Sequence, residues 1–76
     1  MTLYDFVQLT QIEKVNLLFE GRFVTCKEDE QQTVVLYKLG DFFCEVQYDN
    51  ANHSIIKMKP FRSKELALHF FAYQMN

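Results

Sequence analysis

The sequence predicts an α+β domain: a four-stranded antiparallel meander sheet with N- and C-terminal helices packed on one face, in the order α-β-β-β-β-α. Residues 33–49 are the first observation, because two runs rich in β-branched and aromatic residues flank Gly40-Asp41, which predicts a tight β-hairpin. The second observation is the alternation from Phe42 to Tyr48, which gives one apolar and one mostly polar face. The third is a helix-capping pattern near each end of the chain.

The composition is typical of one globular domain over residues 1–76. Eight Phe and four Tyr supply large side chains, whereas only two Gly and one Pro are present. Each aromatic ring can bury on the order of 150–250 Å². The net charge of −2, with both signs interspersed, gives none of the general attraction to nucleic acid or anionic membrane that a strongly basic protein has.

The first residues of the chain indicate where in the cell the protein is expected to be found. Residues 1–6 lack the basic and continuous apolar regions of a secretory signal, and no apolar run approaches the roughly 20 residues that cross a bilayer. We therefore expect a cytoplasmic protein without membrane association. In a reducing compartment Cys26 and Cys44 are expected to be buried thiols, packing as small hydrophobic side chains and forming no disulfide.

Helical segments are predicted before the sheet. Residues 2–8 fit one short helical turn, and Thr10 with Glu13 forms a capping box at the start of a longer helix. Gly21 is expected to end that helix, since glycine adopts the left-handed conformation without steric cost. Leu17 points away from the inward apolar stripe. The stripe consists of Ile12, Val15 and Phe19, with Leu18 at its border.

The remaining strands follow from short polar connections. Residues 22–27 predict a strand, and the polar segment 28–32 has the length of a hairpin loop. After a turn at 49–53, residues 54–59 predict the fourth strand, which Pro60 ends. Ser63 is a plausible cap for a last helix that runs to about Met75. Connections this short favour an antiparallel meander.

The last helix carries apolar residues on two nearly opposite sides. One stripe contains Leu66, Phe70 and Tyr73, and the other contains Leu68, Phe71 and Met75. A single sheet cannot cover both stripes. Either the first helix packs along the second stripe, or that stripe forms an exposed patch for a protein partner or a second copy. The candidate protein-interface residues are Leu17, Leu68, Phe71 and Met75.

A local basic strip suggests an alternative function. Its cations are Lys57, Lys59, Arg62 and Lys64, with Phe61 among them. Cations with an aromatic ring favour phosphate contact and base stacking in a nucleic-acid-binding accessory protein. The simpler interpretation places Lys57 and Lys59 on the wet face of the last strand, opposite Glu45 and Gln47, as favourable cross-strand pairs at a protected sheet edge.

No arrangement typical of catalysis or metal binding is found in the sequence. The candidate ligands Cys26, Cys44, His53 and His69 have none of the close spacings of tetrahedral metal sites. A Cys44 nucleophile would need a nearby base and a lowered thiol pKa, which no adjacent residue provides. Three consecutive carboxylates at 28–30 lack the spacing of a dedicated cation site. We therefore expect no cofactor, no metal and no enzymatic activity.

Three segments carry a resemblance to known sequences. They are Leu-Tyr-Lys-Leu-Gly-Asp-Phe-Phe-Cys-Glu-Val-Gln-Tyr-Asp at 36–49, Thr-Leu-Tyr-Asp-Phe at 2–6 and Ile-Ile-Lys-Met-Lys-Pro-Phe at 55–61. Over most of its length the chain resembles a family of short, uncharacterised bacterial proteins. The resemblance implies a small antiparallel fold and a bacterial cytoplasmic setting, and it implies no activity, cofactor or catalytic residue.

The function that these observations predict is a small non-catalytic interaction module acting through self-association or a protein partner. The surplus apolar stripe motivates this prediction, as does a chain too short to enclose the deep pocket that most enzymes need. The alternative is the nucleic-acid-binding accessory protein that would use the basic strip.

Overall fold

The computed structural model describes the backbone of residues 1–74 and the side chains of residues 1–69. The elements are α1 (Leu3–Val7), α2 (Gln11–Leu18), β1 (Arg22–Glu28), β2 (Gln32–Leu39), β3 (Phe42–Asp49), β4 (Ile55–Phe61) and α3 (Lys64–Gln74). The strands form one antiparallel sheet in the order β1-β2-β3-β4. This architecture confirms the predicted α+β meander.

Reciprocal capping boxes begin both N-terminal helices. At α2 the Glu13 backbone N–H donates to Thr10 Oγ1 over 3.2 Å, and the Thr10 N–H donates to Glu13 Oε1 over 2.9 Å. Thr2 and Asp5 make the same pair of bonds at α1. Because two orphan donors are satisfied at each start, these threonines fix where the helices begin.

The central hairpin has the predicted two-residue turn. Leu39 pairs with Phe42, and Gly40 between them has a φ of +63°. A positive φ at the first central residue alone is typical of a type II′ turn, whose twist matches that of the flanking strands. The Gly-Asp pair therefore sets the register of β2 against β3.

The helices α1 and α2 cover one face of the sheet. Phe6 of α1 and Leu18 of α2 pack there against the even-numbered apolar residues of β3. The rings of Phe6 and Phe42 lie 5.3 Å apart between centroids, tilted by 54°. The buried residues of this first core are Phe6, Leu18, Leu39, Phe42, Cys44 and Val46.

The third helix covers the opposite face. Ala67 of α3 packs with Val34, Leu36 and Phe61, which alternate with the residues of the first core. The prediction that the N- and C-terminal helices share one face is therefore wrong. The physical reason is that β2 is apolar on both of its faces, so that each face needs a cover.

The rotation of α2 also differs from the prediction. Leu18 is buried and Leu17 packs against the first core, whereas Ile12 and Phe19 are exposed. Only residues 19–21 join α2 to β1, so the end of the helix must lie over Leu39. In that position Leu18, and not the expected stripe, faces the sheet.

Two predictions about where elements end, at Gly21 and at Pro60, are wrong. Gly21 does not have a positive φ, so it does not end α2 by the left-handed route. A Cβ at Gly21 would lie 2.5 Å from Leu39 Cδ2, so any larger residue at this position would force the buried Leu39 side chain to shift. Pro60 lies within β4 and not after it, at the sheet edge where a missing N–H is tolerated.

We predict that Gly21→Ala lowers the free energy of unfolding by about 1–3 kcal/mol, the usual range for overpacking a core. Urea denaturation of both proteins measures this loss. In a Leu39→Ala background the loss should be smaller, because the nearest clashing atom is gone. Equal stability of the Gly21→Ala variant and the parent would contradict this account of the position.

Candidate protein-interaction surface

The predicted interface residues do not form one surface in the described part of the chain. Leu17 is partly buried against the first core, on the α1 and α2 side of the sheet. Leu68 is 38% exposed on α3, which lies on the other side. The side chain of Phe71 and all of Met75 lie outside the described residues. The sheet therefore separates Leu17 from Leu68.

A different set of apolar side chains is exposed, on α2, at its end and on β1. Ile12 is 73% exposed and Phe19 is 84% exposed, and their spacing of seven residues puts them on the same side of α2. Phe23, which follows the connection to β1, is 63% exposed and pairs with Tyr37, so it lies on the sheet face that α2 covers. We call Ile12, Phe19 and Phe23 the β1 surface.

Sequence reasoning missed the β1 surface because it assigned Ile12 and Phe19 to the core. The adjacent Leu17 and Leu18 compete with that stripe for the inward side, and Lys14 also faces the first core. The Lys14 ammonium lies 5.5 Å from the centroid of the Phe6 ring, a cation–π arrangement. The inward face of α2 is thus formed by two leucines and a lysine.

The β1 strand is also an edge of the sheet. A bulge between Phe23 and Thr25 interrupts its pairing with β2, and pairing is regular from Thr25 to Glu28. The opposite edge, β4, contains Pro60 together with Lys57 and Lys59. Proline, lysine and bulges all protect edges against further pairing. Of the two edges, β1 has a bulge and Lys27 but no proline, and its pairing is regular over residues 25–28.

The structure divides the predicted basic strip. Lys57 pairs with Gln47, and Lys59 pairs with Glu45, as the strand alternation predicted. Arg62 instead turns towards α1, where its guanidinium donates a hydrogen bond to the Tyr4 hydroxyl and lies 5.3 Å from the ring centroid. Lys64 is exposed at the start of α3. The four cations therefore do not line one continuous groove.

The face expected to be wet contains a buried carboxyl. Glu45 is only 4% exposed on the α3 side of the sheet, and its Oε2 atom has no hydrogen-bond partner among the described residues. Burial raises the pKa of Glu45, and the positive charges of Lys59 and Lys57 oppose that rise without cancelling it. Because α3 covers this face, the expected solvent around Glu45 is absent.

The two cysteines have different surroundings. Cys44 is fully buried in the first core, where burial raises the pKa of its thiol to about 12. Cys26 is exposed on β1, so the prediction that both thiols are buried is wrong for this residue. A thiol with such a raised pKa is almost entirely protonated at neutral pH, which makes Cys44 a poor nucleophile.

Two kinds of site are absent from the described residues 1–74. In this part of the chain no three His, Cys, Asp or Glu side chains come together as a potential metal-binding group. None of the described helices has the length and apolar character that crossing a membrane requires.

No protein-family model matches the chain. No curated protein and no solved structure is significantly similar to it.

We predict that iodoacetamide modifies one thiol of the folded protein, Cys26, and modifies Cys44 only after denaturation. The difference follows from the exposure of Cys26 and from the burial and raised pKa of Cys44. Mass spectrometry of the intact protein counts the adducts at neutral pH. A Cys26→Ser variant should gain none while folded, and rapid modification of that variant would contradict the placement of Cys44.

Proposed function

We propose that this protein is a small non-catalytic interaction module that associates with a second copy of itself through the β1 surface. The observation that carries the proposal is the exposure of Phe23 on the edge strand β1, together with the exposure of Phe19 four residues before it and of Ile12 on the same side of α2. Large exposed apolar side chains on and next to an edge strand are typical of protein contacts.

A second copy fits this surface because a single two-fold axis would bring both the edge strand and the exposed apolar side chains into contact with their copies. A two-fold axis perpendicular to the sheet would place β1 antiparallel to its copy, extending two four-stranded sheets into one of eight strands. The same axis keeps both α2 helices on one face. Phe19 and Phe23 of each copy then meet the apolar side of the other, and the contact is self-complementary.

The free energy of burying these side chains also favours a second copy as the partner. Complete burial of a phenylalanine side chain contributes roughly 1.5–3 kcal/mol, and the two-fold axis doubles each contribution. Edge pairing over residues 25–28 would also form backbone hydrogen bonds between copies. The N–H and C=O groups that form them are otherwise partly exposed to water. Small domains without disulfides or structural metals often gain stability by oligomerising.

The setting and chemistry are part of the proposal. A bacterial, cytoplasmic location, which the resemblance noted in the sequence would imply, is part of the proposal. The protonated state of Cys44 supports a non-catalytic role, since this buried thiol is not available as a nucleophile. Nucleic-acid binding through the basic strip is the weaker proposal, because Arg62 is engaged with Tyr4 and Lys59 lies opposite the buried Glu45.

We predict that Phe19→Asp weakens self-association by about 100-fold or more. Each dimer would lose two buried rings, roughly 3 kcal/mol or more, and would gain two desolvated carboxylates. Sedimentation equilibrium of the parent and the variant over a wide concentration range measures the dissociation constant. Because Phe19 is 84% exposed, the variant monomer should keep its circular dichroism spectrum.

The matched control is Ile56→Asp, which introduces the same charge at a side chain that is 55% exposed on the opposite edge strand β4. It should leave the dissociation constant within about twofold of the parent value. A parent that stays monomeric at every concentration would contradict self-association. Dissociation by Ile56→Asp but not by Phe19→Asp would place the contact at β4 and contradict the β1 surface.

A further inference from the structure

The two faces of the sheet differ in charge. Directly paired residues share a face, and the register therefore puts every lysine and arginine of the four strands on the face where α3 packs. The acidic strand residues on this face are Glu45 and Asp49, whereas the other face of the strands carries Glu28 and no cation. Positive charge is thus concentrated on one side of the sheet. The five strand cations are Arg22, Lys27, Lys38, Lys57 and Lys59.

Two of these cations lie directly opposite each other. Arg22 of β1 pairs with Lys38 of β2, and no other pair in the register of the four strands joins two residues of like charge. Opposite residues have Cβ atoms about 4.5–5.5 Å apart, and like charges in these positions repel each other. Both side chains are exposed. We call Arg22 and Lys38 the cation pair.

The described acidic residues leave the cation pair without a counter-charge. Glu20 and Asp41 are close to it in the chain, but each lines a cavity on the α1 and α2 side of the sheet. Glu65, in the first turn of α3, is exposed, and it forms no ion pair with either cation. The repulsion within the cation pair is therefore not offset by a described carboxylate.

A cation pair without a counter-charge is unfavourable for the folded chain alone. An uncharged polar side chain at either position would remove the repulsion, and sequences depart from such local rules mainly at functional sites. The ligand that best relieves the repulsion is one group with about two negative charges. At neutral pH a phosphomonoester carries a charge of about −1.5 to −2. A phosphodiester carries only one negative charge.

The other cations of this face are too far from the cation pair to form a row for successive phosphates. Lys27 pairs with Val34, which lies four residues from Lys38 along β2, a distance of about 13 Å. Lys57 and Lys59 are on β4, two strands from β2 and therefore about 10 Å away. The charges of the cation pair thus converge on one group, which favours a single phosphate over a nucleic-acid backbone.

We propose that the cation pair is a binding site for the phosphomonoester group of a small molecule. The planar guanidinium of Arg22 donates two parallel hydrogen bonds to two phosphate oxygens, and the Lys38 ammonium acts as a point charge on the third. The site lies on the face of the sheet opposite Phe23. It uses neither the β1 surface nor edge pairing, so it does not rest on self-association.

Titration of the isotope-labelled protein with phenyl phosphate, followed by NMR at constant ionic strength, tests the site. The amide shifts should saturate and be largest around residues 22 and 38. Arg22→Gln and Lys38→Gln should each raise the dissociation constant about tenfold or more, because each removes a charged contact to the phosphate. The matched control is Lys57→Gln, which removes an exposed cation of the same face opposite the uncharged Gln47. It should leave the dissociation constant within about twofold of the parent value.

Urea unfolding gives a second readout of the same site. In chloride, Lys38→Gln should unfold at a higher urea concentration than the parent, because its repulsion with Arg22 is gone. Phenyl phosphate at equal ionic strength should raise the urea midpoint of the parent and leave that of the variant unchanged. Dimethyl phosphate, a diester with one charge, should bind more weakly. Shifts that do not saturate, equal binding of the two esters, or binding of a single-stranded oligonucleotide without a response to phenyl phosphate would overturn the proposal.

Discussion

Burial of the β2–β3 hairpin on both of its faces is the constraint on which the rest of the structure depends. Val34 and Leu36 are inaccessible on the α3 side, and Cys44 and Val46 are inaccessible on the α1 and α2 side. Exposing either face would leave a large apolar area in water. Because one layer of helices can cover only one face, the helices at the two ends of the chain are divided between the two sides of the sheet.

The division of the helices between the two faces also explains which part of the sheet is left exposed. The α2 helix has eight residues and is about 12 Å long, whereas the outer strands of a four-stranded sheet lie about 14 Å apart. The helices pack mainly on β2, β3 and β4, so the edge strand β1 is left accessible. On β1 this leaves Phe23 and Cys26 exposed. The β1 surface is thus a consequence of small helices on a two-faced sheet.

Features set by neighbouring residues could be predicted from the sequence. The turn at Gly40, the capping box of Thr10 and Glu13 and the strand register that places Lys59 opposite Glu45 all depend on local patterns. The side of the sheet that α3 covers depends on tertiary packing. The consecutive apolar residues Val34, Val35 and Leu36 are a signal of burial on both faces that alternation in β3 alone does not give. The rotation of α2 gave no such signal, so the β1 surface was not identified from the sequence.

The central claim is that two copies meet along β1, and amide hydrogen exchange at increasing protein concentration tests it most directly. Self-association at this edge predicts that the β1 amides not bonded to β2 become more protected as concentration rises, while amides of β4 keep the same protection. Exchange at β1 that is independent of concentration throughout the range, or added protection confined to β4 or α3, would contradict the claim.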